Sequence, residues 1–259
     1  MNLHAVDWSI VGPALVAGLL VLATHVPLGL QVLSRGIVFI DLAIAQIAGL
    51  GVIAADALGW EPQGWGVQGA AVAAALAGAA LLTWTERRWP DIQEALIGTL
   101  FVLASCLGIL LLAGNPHGGE HLKDLLVGQI LWVTPGQLVA MAVLSAAVLA
   151  LWFGAQQRLG RAGFYIVFAL AVTASVQLVG VYLVFSSLIM PALAVRHARP
   201  QWQLPVAYGM GGLAYALGLA LSAMLDLPSG AVVVLTMATV GVLTSGVLSG
   251  RWWARPTAA

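Results

Sequence analysis

The chain has 259 residues, of which 61% are hydrophobic and 8% charged, and its ten Lys+Arg balance ten Asp+Glu. A soluble domain carries about 25% charged residues, so this sequence lacks a water-facing surface; with one lysine, Lys123, it also lacks the basic field that nucleic acid requires. A single cysteine, Cys106, excludes an intramolecular disulfide and, within an apolar run, is expected to be a small core residue.

Met1 to Ser9 contains Asp7 but no Lys or Arg and no small-residue cleavage site. The first apolar run is therefore expected to be a retained span rather than a secretory signal. A helix needs about 20 mostly apolar residues to cross a bilayer. Candidate spans are residues 10–31, 37–58, 67–84, 95–113, 135–154, 164–197, 204–224 and 230–249. The expected fold is all-α, a polytopic integral membrane bundle of eight to nine transmembrane helices in one domain, 1–259.

Taken in order, the first span contains His25 and the second opens with Asp41, followed by Gln46. Ionisable groups inside a span are expensive and mark functional sites. Carboxylate and imidazole are ligands for divalent cations, so Asp41 with His25 is a candidate pair for a transiting metal ion. The alternative is that Asp41 caps its helix or pairs with Arg35, and spacing alone leaves both open. Pro90-Asp91 followed by Glu94 reads as a capped helix start before the fourth span.

The segment between the fourth and fifth spans contains His117-Gly-Gly-Glu120-His121, which spells the H-x-x-E-H signature of a metalloprotease. Two adjacent glycines oppose the rigid helix that such chemistry needs. His117, Glu120 and His121 are instead expected to lie outside the membrane, near the cap of a helix starting at about His121, as a weak metal-collecting surface.

From Phe164 to Val195 no charge occurs in 32 residues. One helix of that length would extend about 48 Å, well beyond a hydrocarbon core of about 30 Å. The stretch is expected to break near Gly180, where Gln177, Ser186 and Ser187 supply polar groups; unwound backbone at that depth is tolerated where it lines a cavity or is buried in protein.

Nine crossings place all nine arginines on one side and Lys123 on the other, as the positive-inside rule requires. Eight crossings split the arginines. Nine is therefore preferred, with the C-terminus in the cytoplasm. Trp60 and Trp65 at one face, and Trp252 and Trp253 at the other, suit the interfacial belts. Gly246 and Gly250 have the spacing of close helix approach, which ordinary packing within one bundle explains as well as a dimer contact.

No G-x-x-x-x-G-K-[ST] phosphate loop, nucleophile elbow or dinucleotide fingerprint is present. Energy for active transport must come from a partner or an ion gradient.

The run Arg35-Gly-Ile-Val-Phe-Ile-Asp41-Leu-Ala-Ile-Ala-Gln46 resembles the ABC-3 family of metal permeases, the membrane subunits of zinc, manganese and iron ABC importers. The resemblance continues through Glu94-Ala-Leu-Ile-Gly98, Leu125-Leu-Val-Gly-Gln-Ile-Leu131, Val179-Gly180-Val-Tyr-Leu183, Leu188-Ile-Met-Pro-Ala192 and Leu227-Pro-Ser-Gly-Ala231. It implies a non-enzymatic permease in a bacterial inner membrane, surrounded by membrane lipid. The implied assembly has two permease subunits, two cytoplasmic ABC ATPase subunits and an extracytoplasmic metal-binding protein. No bound cofactor is implied; a divalent metal ion is the cargo. The ATPase would dock on the stretch Gln156 to Phe164, placing Arg158 and Arg161 at the contact. Family members commonly follow the aspartate by a histidine four residues later, where this chain has Ala45 beside Gln46. The resemblance therefore leaves Asp41, Gln46 and His25 as the expected metal-handling set. An ion-coupled secondary transporter working without an ATPase is the alternative reading.

Overall fold

The computed structural model describes residues 7–60, 64–112, 126 and 128–249, with the backbone alone for 155–159. Among these residues it is all helical. The helices are α1 (Trp8–Arg35), α2 (Ile40–Ala57), α3 (Trp65–Arg88), α4 (Gln93–Leu112), α5 (Pro135–Gly154), α6 (Gly160–Val179), α7 (Val181–Ala194), α8 (Pro200–Leu225) and α9 (Ser229–Leu248). Short 3-10 turns at Pro90–Ile92 and Ile130–Trp132 precede α4 and α5. All except α7 are long and apolar enough to cross a bilayer, and α7, with 14 residues, is about 21 Å long.

Local chemistry explains the ends. Asp7 caps α1 by accepting from the amide of Ser9 at 2.9 Å, and Gly36 closes it in the left-handed conformation. Thr134 and Gln137 form a reciprocal capping box at α5. Between α5 and α6 the helical path is interrupted at Gly160 (φ 58°, ψ −159°). The expected docking loop from Gln156 to Phe164 is thus two helix ends meeting at one glycine.

The expected break at Gly180 is present. Its φ of 82° and ψ of 163° belong to a region open essentially to glycine alone. The backbone of Gly128 (φ 70°) lies directly against Val179 and Gly180, where a Cβ would collide with the Val179 carbonyl. Two glycines, 128 and 180, thereby hold the α6–α7 elbow against the segment that leads into α5.

The bundle has two groups of contacts. α2 packs on α3 and α4, while α1, α7, α8 and α9 pack among themselves. The α5–α6 segment touches both groups. A share of 67% of the membrane window of α6 is buried, against 22% for α4, α5 and α9. α6 is therefore the central helix, and those three present their outer faces to lipid or another subunit.

Proline inside α1 illustrates how the fold repairs a defect. Pro27 has no N–H to donate to the carbonyl of Ala23. The hydroxyl of Tyr208 on α8 donates to that carbonyl at 2.8 Å, which satisfies the freed acceptor and fastens α1 to α8.

Candidate functional site

α1 ends at Arg35 and, after a turn of four residues, α2 begins at Ile40. Asp41 therefore lies in the first turn of α2, where the helix dipole favours a negative charge. Its side chain is completely buried. Its carboxyl group lies beside the first amides of α2, yet neither oxygen makes a well-formed hydrogen bond. Arg35 turns away from Asp41: its guanidinium stacks 4.2 Å over the ring of Phe164 on α6. The Arg35 salt bridge that the sequence left open is absent among the described residues.

His25 lies ten residues before the end of α1, about 15 Å along the helix. It is fully buried. Its Nδ1 is 2.9 Å from the Val21 carbonyl and 3.0 Å from the Thr24 hydroxyl. A carbonyl only accepts, so Nδ1 carries the proton and Nε2 presents its lone pair. Nε2 has no partner, an arrangement typical of an imidazole ready to ligate. Residues 18, 22 and 29 of the same helix meet Tyr215, Gly211 and Leu188, which turns this stripe of α1 toward α7 and α8. There Ser187 and Tyr215 share a buried hydrogen bond of 2.9 Å.

The structure therefore does not bring His25 and Asp41 together as one pair of ligands. Among the described residues no group of three or more His, Cys, Asp and Glu side chains converges. Gln46, five residues beyond Asp41 on α2, lines a small cleft between α2, α4 and the α6–α7 elbow, together with Ser105 and Val181. The polar groups are strung out through the bundle instead of gathered at one point.

The group that does approach Asp41 is Glu94. Its Oε1 accepts from the amide of Phe39, the cap of α2, at 3.2 Å. The sequence read Glu94 as part of a helix start; its capping contact is instead to α2, 55 residues away in the chain. No spacing rule exposes that contact.

Beside this corner, Gln93 donates to the Leu82 carbonyl at 3.1 Å and to the Tyr165 hydroxyl at 3.2 Å, joining α3, α4 and α6. Arg161 lies 4.0 Å from Glu86 and stays 57% exposed, so it is available at the surface while tethered. The side chain of Arg158 and the whole of His117, Glu120 and His121 fall outside the described residues.

A family model described as the ABC 3 transport family matches residues 7–160 and 154–247. The chain belongs to the ABC 3 transport family. As an ABC transporter permease of that family it is a multi-span membrane protein and a transport component. An uncharacterised membrane protein of Synechocystis sp. is 28% identical over 264 residues, covering 93% of this chain and 92% of its own. The fold is shared with PsaBC from Streptococcus pneumoniae, solved in complex with Fab, at a TM-score of 0.71 and 22% identity, covering 90% of each chain. It is also shared with an ABC transporter assigned to the metal-chelate type, in an inward-facing conformation, at a TM-score of 0.65 and 19% identity, covering 91% of this chain and 84% of the other.

Proposed function

We propose that this ABC-3 permease is the membrane-spanning subunit of an importer for divalent metal ions, zinc, manganese or iron, driven by ATP hydrolysis on a separate subunit. The observation that supports this most is Asp41, a completely buried carboxylate with both oxygens unpartnered, on a spanning helix of a transport protein. Such a group in a membrane marks an ion pathway. Gln46 in the cleft and His25 with its open Nε2 continue the path at other depths, so the ion passes between stations and meets no closed cage. Weak, successive sites let an ion leave as readily as it enters.

The absence of a phosphate loop in the sequence supports placing ATP on a partner. The ATPase docks on the arginine-bearing side at the α5–α6 junction, the stretch that contains Arg158 and Arg161. A second permease subunit covers part of the outward faces of α4, α5 and α9, and lipid covers the rest. An extracytoplasmic metal-binding protein delivers the ion, with His117, Glu120 and His121 as an outer collecting surface. The assembly resides in a bacterial inner membrane with the C-terminus of this chain in the cytoplasm.

The test is metal uptake by cells lacking their own high-affinity importers. They express the chain with its neighbouring ATPase, as wild type, as Asp41→Ala, as His25→Ala and with an ATPase-dead partner. Uptake of zinc or manganese that needs a working ATPase and falls with Asp41→Ala supports the reading. Uptake that persists with the dead ATPase replaces it with an ion-coupled secondary transporter.

A further inference from the structure

Resting on the permease reading, we propose that Glu94 is the second ligand of the Asp41 station, so that the two carboxylates, from the first turns of α4 and α2, form a hard-cation exit site on the arginine-bearing side.

Three observations meet at this corner. Asp41 is completely buried with both oxygens unpartnered. Glu94 uses Oε1 to accept from Phe39, two residues before Asp41, while its Oε2 is also buried and unpartnered. Finally, among the described residues neither has an ion-pair partner: Arg35 is stacked on Phe164 and Arg161 is held by Glu86.

Burying a carboxylate is costly unless it is paired, and two adjacent ones repel. A divalent cation relieves both penalties at once, and three free oxygens from two carboxylates are the donors that manganese-like and other hard ions prefer. The Phe39 amide fixes Glu94 by one oxygen and leaves the other for the ion. His25, separated along α1, is not needed to complete this station.

Glu94→Gln separates ligation from capping. The amide oxygen still accepts from Phe39, so the cap survives, but the charge is lost. Glu94→Asp keeps the charge with a shorter reach. The probe is Mn2+, followed as uptake in the cells above and as binding to the purified full chain by electron paramagnetic resonance. The expected result is an apparent affinity about tenfold weaker in Glu94→Gln, partial recovery in Glu94→Asp, and loss of the bound signal when Glu94→Gln is combined with Asp41→Asn. Wild-type affinity and an unchanged bound signal in Glu94→Gln overturn the inference while leaving the permease reading intact. Binding without ATPase-dependent uptake retains the carboxylate site and removes the permease reading. A wild-type chain that neither binds nor transports Mn2+ removes the carboxylate site and confines the permease reading to zinc or iron.

Discussion

Single residues in this bundle are informative because so few of them are polar. Asp41→Asn keeps shape and burial while removing the charge. We expect metal uptake to fall about tenfold or more, equivalent to at least about 1.4 kcal/mol, with no loss of thermal stability in detergent. A lower melting temperature with uptake retained would show that Asp41 is structural. Tyr208→Phe makes a different kind of test. It leaves the Ala23 carbonyl, already deprived of its helical donor by Pro27, without a partner. An unsatisfied buried acceptor costs about 1–3 kcal/mol, so the variant should melt earlier than wild type. The role of this tyrosine was invisible in the sequence, because Pro27 and Tyr208 are 181 positions apart and nothing local links them.

At the scale of elements, the two glycines of the α6–α7 elbow make the sharpest prediction. Gly180→Ala forces a side chain into a glycine-only conformation, a strain of about 1–3 kcal/mol. Gly128→Ala drives a methyl group into the Val179 carbonyl. Each should lower stability, and the double variant should cost less than the sum, since both dismantle one contact. A fully additive double variant would show that the two glycines act separately.

The elbow itself was legible: an uncharged stretch too long for one helix had to break, and Gly180 was the residue able to do it. What Gly180 leans on was not, because backbone-to-backbone contact leaves no mark in composition. The same contrast holds at the site. Asp41 and His25 stood out as ionisable groups in apolar spans, but burial and orientation decided their relation. The approach of Glu94 depends on the angle at which α4 meets the cap of α2. Helix ends drifted for a simpler reason. α1 was expected to stop at residue 31 and α3 at 84, yet they continue to Arg35 and Arg88, since long basic side chains reach back to the interface and extend the helix past its apolar part.

For the whole molecule, alternate crossing by the nine helices among the described residues predicts that the ends of α1, α3 and α7 and the junction at Gly160 share one face, with Arg35, Arg87, Arg88, Arg196 and Arg199. The same alternation predicts Asp226, the left-handed cap of α8, on the other. In a Cys106→Ser background, a cysteine at Arg199 should react with an impermeant maleimide only after the cells are opened, and one at Asp226 in intact cells. The reverse pattern, with position 199 labelled in intact cells and position 226 only after opening, would mean that α7 does not complete a crossing, which its length of about 21 Å makes a fair question to put to it.

The meeting of Gly128 with the elbow also has a consequence during synthesis. Gly128 leaves the ribosome about fifty residues before Gly180, so for that interval the segment entering α5 can rest on α1 but lacks the elbow. The contact seals only once α6 and α7 have both entered the membrane. A substitution at either glycine should therefore shorten the lifetime of the nascent chain under membrane quality-control proteases, and pulse-chase turnover would register it even where the few molecules that mature still transport.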